Sequence, residues 1–310
     1  MPLTLRCRAG PEGTLRVGRV GADMRPPTTT SGDGALGAVG AVVALKLTAL
    51  AKSRLDTFPD PVRRRLAWTM AVDTLTALAG AVDRVLVVSR QPALSARLRR
   101  AGLDVDVAAE SGTGSLDAAL RQGAEAVSSA GYAATVACVG DLPALRPEAV
   151  RTALTASRAH PRSFVADASG VGTTMLISHL STGDGGLDPH FGGRSAAAHR
   201  SSGAVALVGD DLLTARRDVD TEVDLADALR LGVGALTGSL VDPTTGRLGT
   251  YAVITATGWR TDDGTPQAVT SSGYRVVLPG AALSDGLQHV RPGQRLHAVA
   301  ANGTVLSAWL

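Results

Sequence analysis

In the first two thirds of the chain, apolar positions fall into short solid blocks separated by longer periodic stretches. Residues 39–45, 84–88, 104–108 and 134–139 have the length and unbroken apolar character of strands buried on both faces. Between them, 61–78, 93–101 and 116–130 read as helices, and a fourth helix follows over 147–159. Val62, Leu66 and Met70 recur at four-residue intervals on one face of the first, Pro61 suits its first turn, and Gly102 closes the second. Strand and helix alternating at this spacing predict an α/β fold, a mostly parallel sheet with helices on both faces.

The pattern then changes. Residues 163–166 form a short strand, and 170–177 place Thr173 and Thr174 between a glycine turn and a buried strand. Ser195 suits the N-cap of an Ala-rich segment. Asp218, Val219 and Asp220 read as a strand end with both acids on one side, and Thr221 with Asp224 forms a capping box for a helix running to Leu231. After residue 246 the alternation has period two. Strands are expected over 247–256, 273–278, 295–300 and 304–309, with Asp262-Asp263-Gly264 and Asn302-Gly303 as turns.

Four segments follow: a poorly ordered N-terminal extension over 1–37, an α/β domain over 38–237, a Gly/Ser/Pro/Thr linker over 238–246, and a small all-β barrel over 247–310. The run 290–297 is similar to the end of a cold-shock, OB-type barrel. A nucleic-acid surface of that kind needs a row of exposed aromatics, and the matching strand carries only Tyr274. A structural or protein-docking barrel, removable without loss of catalysis, is the expectation.

Composition narrows the class. Aromatics make up 3% of the 310 residues, so the cores must be built from Ala, Val and Leu. The net charge of +3, carried mainly by Arg, suits a phosphorylated ligand better than a nucleic acid. Cys7 and Cys138 cannot make a disulfide framework, no histidine has zinc-finger spacing, and no apolar run is long enough for a membrane span. A cytoplasmic location is expected.

Candidate chemistry lies where strands end. Asp141 follows a buried strand, either as a functional acid at the ligand-binding edge of a parallel sheet or as the start of an Asx turn. Lys46, Lys52 and Arg54 follow the first strand and offer cations to a polyanion, without the glycines of a Walker loop. The loop 110–115 is a Gly/Ser turn with room for a nucleotide. Asp141 with Asp218 and Asp220 makes an oxygen-only set that suits Mg2+ bridging phosphates. The Gly170–Thr174 turn can offer amides and hydroxyls to a second, phosphorylated substrate.

These residues bring a resemblance into view. Ala51-Lys52-Ser53-Arg54-Leu55, Asp73-Thr74-Leu75, Gly140-Asp141-Leu142-Pro143-Ala144-Leu145, Ser163-Phe164-Val165-Ala166-Asp167, Gly172-Thr173-Thr174, Phe191-Gly192 with Ser195, His199-Arg200 and Asp218-Val219-Asp220-Thr221 stand in a family's order. From about Val39 to Gly234 the chain resembles the phosphoenolpyruvate and 2-phospho-L-lactate guanylyltransferases of deazaflavin coenzyme F(420) biosynthesis. The resemblance implies a glycosyltransferase-A-like nucleotidyltransferase. In it Thr173, Gly192 and Ser195 contact the phosphorylated three-carbon acid, and Asp141, Asp218 and Asp220 hold Mg2+. Lys46, Lys52, Ser53 and Arg54 form the phosphate loop for GTP. Catalysis is then expected of Lys46, Lys52, Arg54 and Asp141. The implied reaction joins GMP to the acid and expels pyrophosphate.

One departure bears on the base. Family members carry Leu-Asn where this chain has Leu116-Asp117, which trades a donor for a charge at a candidate nucleotide-binding position. A related nucleotidyltransferase with another NTP or acceptor, or a lapsed enzyme acting through its barrel, are the competing expectations.

Overall fold

Alternate residues of the first buried strand go to opposite faces, and that alternation sets the layers. In β1 (Val39–Ala44), Ala41 and Val43 enter one core while Val42 enters the other. β2 (Arg84–Ser89) splits the same way, Val85 and Val87 against Leu86 and Val88. The computed structural model describes residues 24–27, 37–46, 52, 54–111, 114–179 and 186–310. With β3 (Asp106–Ala109), β4 (Ala134–Cys138), β5 (Arg162–Ala166), β6 (Thr173–His179) and β7 (Val205–Leu207), these strands form one sheet in the order β3-β2-β1-β4-β6-β5-β7. β6 runs against both neighbours, and all other pairs are parallel. The expected mostly parallel α/β sheet is therefore present.

α1 (Asp60–Ala79), α2 (Leu94–Arg100) and α4 (Pro147–Ser157) cover one face, and α3 (Leu116–Ser129) and α5 (Ser195–Ser201) the other. α3 lies close on the sheet because Gly123 has no side chain: a Cβ there would stand 2.3 Å from Val42 Cγ1. Strand order reverses between β1 and β4, which opens a crevice at their C-terminal ends.

The barrel is closed. β10 (Thr250–Arg260), β11 (Pro266–Thr270), β12 (Arg275–Val277), β14 (Thr304–Trp309) and β13 (Arg295–Ala301) follow one another around it, with β12 parallel to β14 and β13 returning to β10. This is a five-stranded Greek-key arrangement. Asn302 and Gly303 both have positive φ, as the two-residue turn between β13 and β14 requires. β11 escaped the sequence reading because Pro266 and Gln267 interrupt its alternation.

Several expectations change on contact with the tertiary structure. The Val62, Leu66 and Met70 stripe of α1 does not face the sheet. It packs with Val299 and Trp309 of the barrel, while Trp68, Val72 and Leu75 face the sheet. α1 is thus buried on two sides. The barrel's Asp285 adds ionic contacts, bonding Arg65 at 2.7 Å, Arg97 at 3.2 Å and the Trp68 indole N–H at 3.1 Å. A barrel sharing a core with α1 is not a detachable module, which revises the expectation for its removal.

The stretch expected as a linker is structured. After α6 (Leu213–Arg216) and α7 (Glu222–Leu231), α8 (Ala235–Gly238) leads through fully buried Leu240 to a hairpin of β8 (Val241–Asp242) and β9 (Arg247–Leu248). Within the segment expected to be poorly ordered, Met24 is buried against the sheet and Arg25 pairs with Asp104 and Asp106; residues 1–23 and 28–36 lie outside the described residues. Asp218 and Asp220 stand in an irregular segment, not a strand. Ser195 is the first helical residue of α5, with Arg194 at the N-cap position and no side-chain cap. The Thr221 and Asp224 capping box is present as expected.

Candidate functional site

The β4 strand delivers its acid to the crevice by a fixed turn. Leu142 N donates to Thr74 Oγ1 of α1 at 3.0 Å, and Thr74 in turn donates to Met70 O at 2.8 Å. The Asp141 carbonyl accepts from Val219 N at 3.1 Å. Val219 is fully buried, so Asp218 and Asp220 on either side of it are held toward the same rim without strand geometry. Asp224 accepts from Thr221 N at 2.8 Å and fixes the start of α7 immediately beyond.

Lys52 ties this rim together. Its ammonium donates to Asp141 Oδ2 and, at 3.0 Å, to Asp220 Oδ1, while Arg54 approaches Asp220 at 3.7 Å. Burial works against the charge on Lys52, but Asp141 and Asp220 outweigh it and raise its pKa above the ordinary lysine value. Lys46, Lys52, Arg54, Gly140, Asp141 and Asp220 line a cavity of about 340 Å³. Burial, then the charges of Asp141 and Asp220, push Asp218 up to about 7. Ser53 lies outside the described residues.

The acid group is short of positive charge. Oδ1 of Asp141 is buried with no hydrogen-bond donor, and Asp218 resists ionisation because it is buried and then because Asp141 and Asp220 lie beside it. Among the described residues the acids are not drawn into a closed metal cage, since the Lys52 ammonium stands between Asp141 and Asp220. An orphaned carboxylate oxygen within an oxygen-only donor set fits a hard divalent cation.

A second group lies further along the same rim. Because β6 is antiparallel to β4, its first residue, Thr173, comes to the end of the sheet where Asp141 stands. His199 Nε2 accepts from His190 N at 3.0 Å, so the proton is on Nδ1 and is donated to Thr173 Oγ1 at 2.9 Å. That leaves the Thr173 O–H to point elsewhere. Asp117 Oδ1 accepts from Phe191 N at 2.8 Å and so holds the loop before α5, a role that Asn fills equally well. Gly192 and Gly193 follow with positive φ, and Ser195 is buried at the start of α5. The turn after β5 differs from expectation. Asp167 accepts from Val171 N at 3.0 Å and Gly172 N at 2.9 Å, so these amides are spent within the protein.

Sequence reasoning named Thr74, His199 and Asp167 only as motif positions and gave them no role; their partners are 68, 26 and 5 residues away. Burial, with His190 and Arg162 nearby, lowers His199 to about 4. A histidine lowered on folding contributes stability above about pH 6.5 that is lost as pH falls toward 4. Thermal midpoints measured from pH 6.5 to 4 should fall less steeply in His199→Gln than in the parent protein. Parallel curves would remove His199 from the acid response.

Residues 64–210 match the family pattern of a MobA-like NTP transferase domain. The chain is 43% identical over 214 residues to a phosphoenolpyruvate guanylyltransferase of Salinispora arenicola, covering 66% of this chain and 96% of that one. It is 43% identical over 203 residues to that of Streptomyces coelicolor, with 64% and 93% covered. To that of Mycolicibacterium paratuberculosis it is 41% identical over 214 residues, with 67% and 94% covered. These relatives are matched over nearly their whole length by about two thirds of this chain. With a nucleotidyltransferase domain and this degree of identity, the chain is a nucleotidyltransferase that belongs to the phosphoenolpyruvate guanylyltransferase family.

Proposed function

We propose that this protein transfers GMP from GTP to phosphoenolpyruvate and releases pyrophosphate. The observation that carries the reading is the meeting of Lys46, Lys52 and Arg54 with Asp141 and Asp220 in one cavity at the strand-order reversal, in a chain of this family. A phosphate oxygen of the acid attacks the α-phosphorus, a P–O bond forms, and the bond to the bridging oxygen of pyrophosphate breaks. The attacking oxygen is already an anion, so no protein base is required; alignment and charge neutralisation supply the rate.

Lys46, Lys52 and Arg54 line the cavity as cations for the phosphates, and Lys52 also keeps the acids at one spacing. Asp141, Asp218 and Asp220 would hold Mg2+, which lowers the charge barrier at the phosphates when bound. Thr173 and Ser195, with the Gly192 backbone, orient the phosphorylated acid. The Thr173 hydroxyl accepts from His199, so its O–H is not spent on that ring and can donate to the acid.

The finer assignment is a cytoplasmic step of deazaflavin coenzyme F(420) biosynthesis. Among the described residues no helix is long and apolar enough to cross a membrane. Magnesium, GTP and phosphoenolpyruvate should together give acceptor-dependent pyrophosphate release. Turnover with 2-phospho-L-lactate but not phosphoenolpyruvate would replace the acceptor, and no release with either would overturn the reading.

A further inference from the structure

Glu110 follows β3, two strands from β1 along the same rim. Its backbone is held on three sides. Glu110 N donates to Ser89 O at 3.0 Å, and the Gln122 side chain brackets it by donating to Ala109 O at 2.8 Å and accepting from Ser111 N at 2.8 Å. Its side chain is 1% exposed, yet Oε1 receives no hydrogen bond. Arg90 Nε at 3.6 Å and Lys46 Nζ at 4.0 Å balance its charge from beyond hydrogen-bond distance. These two cations are themselves 57% and 42% exposed, and the Lys46 ammonium also donates to Gly114 O. A buried carboxylate oxygen without a donor is costly, and a rigid backbone that keeps it so implies a donor brought by a ligand.

Position and chemistry identify that ligand. Neighbouring strands are about 4.8 Å apart, so Glu110 stands about 10 Å from the end of β1, where Lys46 begins the cationic segment. A nucleotide with its phosphates at Lys52 and Arg54 and its sugar over β2 brings its base to β3. An ionised carboxylate only accepts. Guanine alone offers two adjacent donors, N1–H and the N2 amine; adenine and cytosine place an acceptor beside their amine, and uracil flanks its single N–H with carbonyls. We propose that Glu110 reads the guanine of GTP through paired hydrogen bonds to N1–H and N2–H, with Gln122 as the positioning residue that holds it. The proposal rests on the GTP-dependent reading above. It takes the selectivity role away from Asp117, whose oxygen is bonded to Phe191 N.

The test titrates GTP, ITP and 1-methyl-GTP into the full chain with magnesium and follows pyrophosphate release in parallel with phosphoenolpyruvate present. ITP lacks the N2 amine and 1-methyl-GTP lacks N1–H. The parent protein should bind GTP about tenfold or more tightly than either. In Glu110→Gln, a carboxamide that accepts from N1–H and donates to O6 treats GTP and ITP alike, so that ratio should fall close to one. Equal binding of GTP and ITP by the parent protein, or an unchanged ratio in Glu110→Gln, overturns the proposal. If Glu110→Gln shows no cooperative thermal transition, Glu110→Asp replaces it and should lose affinity for GTP more than for ITP. Guanine-selective binding without pyrophosphate release sinks the acceptor reading and leaves Glu110 in place; acceptor-dependent release without guanine selectivity does the reverse.

Discussion

Asp141→Asn is expected to lower pyrophosphate release by at least about 10²–10³-fold while leaving the fold intact. The amide keeps the shape and still accepts from Lys52, but it withdraws the charge of an acid whose Oδ1 is buried without a donor. The same change should alter the pH response of the chelator-treated protein. Asp218 is raised to about 7 by burial and by the charges of Asp141 and Asp220. An acid raised on folding binds more protons folded than unfolded, so its contribution falls as pH rises from about 4 to about 7. Asp141→Asn should soften that descent, because one of the repelling charges is gone. Thermal midpoints in chelator across this range, beside the rate assay, check both parts. An unchanged rate removes Asp141 from the chemistry.

Asp285→Ala should cost about 3–5 kcal/mol, a large effect for a residue outside the candidate site. The Arg65 side chain is 1% exposed, and Asp285 pairs with it while also pairing with Arg97 and accepting from the Trp68 indole N–H. Burial already drags the Arg65 pKa below its ordinary value despite Asp285, so removal of the acid leaves a sealed cation uncompensated. Arg65→Met combined with Asp285→Ala should recover most of the loss, because the buried charge is then absent. Urea unfolding of the single and double variants measures this, and a single-variant loss below about 1 kcal/mol would show the contact to be idle. Because Val299 and Trp309 share a core with Leu66 and Met70, the parent protein should unfold in one transition.

Local signals were legible where one stretch decides the outcome. The apolar run ending at Gly140-Asp141, the Thr221 and Asp224 box and the Asn302-Gly303 turn each carry their cause within a few residues. The helical period of α1 was equally plain, but which of its two apolar sides meets the sheet depends on the barrel, more than two hundred residues later. Residues 238–246 read as a linker because Gly, Pro and Thr mask most of a hairpin over 241–248 whose anchor, Leu240, is buried by distant side chains. In the candidate site the charged residues stand out by type and the residues that aim them do not. Thr74, Asp167 and His199 look like ordinary core or turn positions until their partners are seen. Lys52 was expected to face phosphates, and its pairing with Asp141 and Asp220 follows from long-range charge that no local pattern encodes.

Closure of the barrel also bears on how these molecules behave when crowded. Each barrel strand has a neighbour on both sides, and the seven-stranded sheet ends on β3 and β7, which are four and three residues long. Among the described residues of the sheet and barrel, no long ladder of unpaired amides faces outward to template another chain. Such short rims disfavour fibrous stacking, so loss of the folded state, not recruitment by the folded state, is the route by which this chain would aggregate.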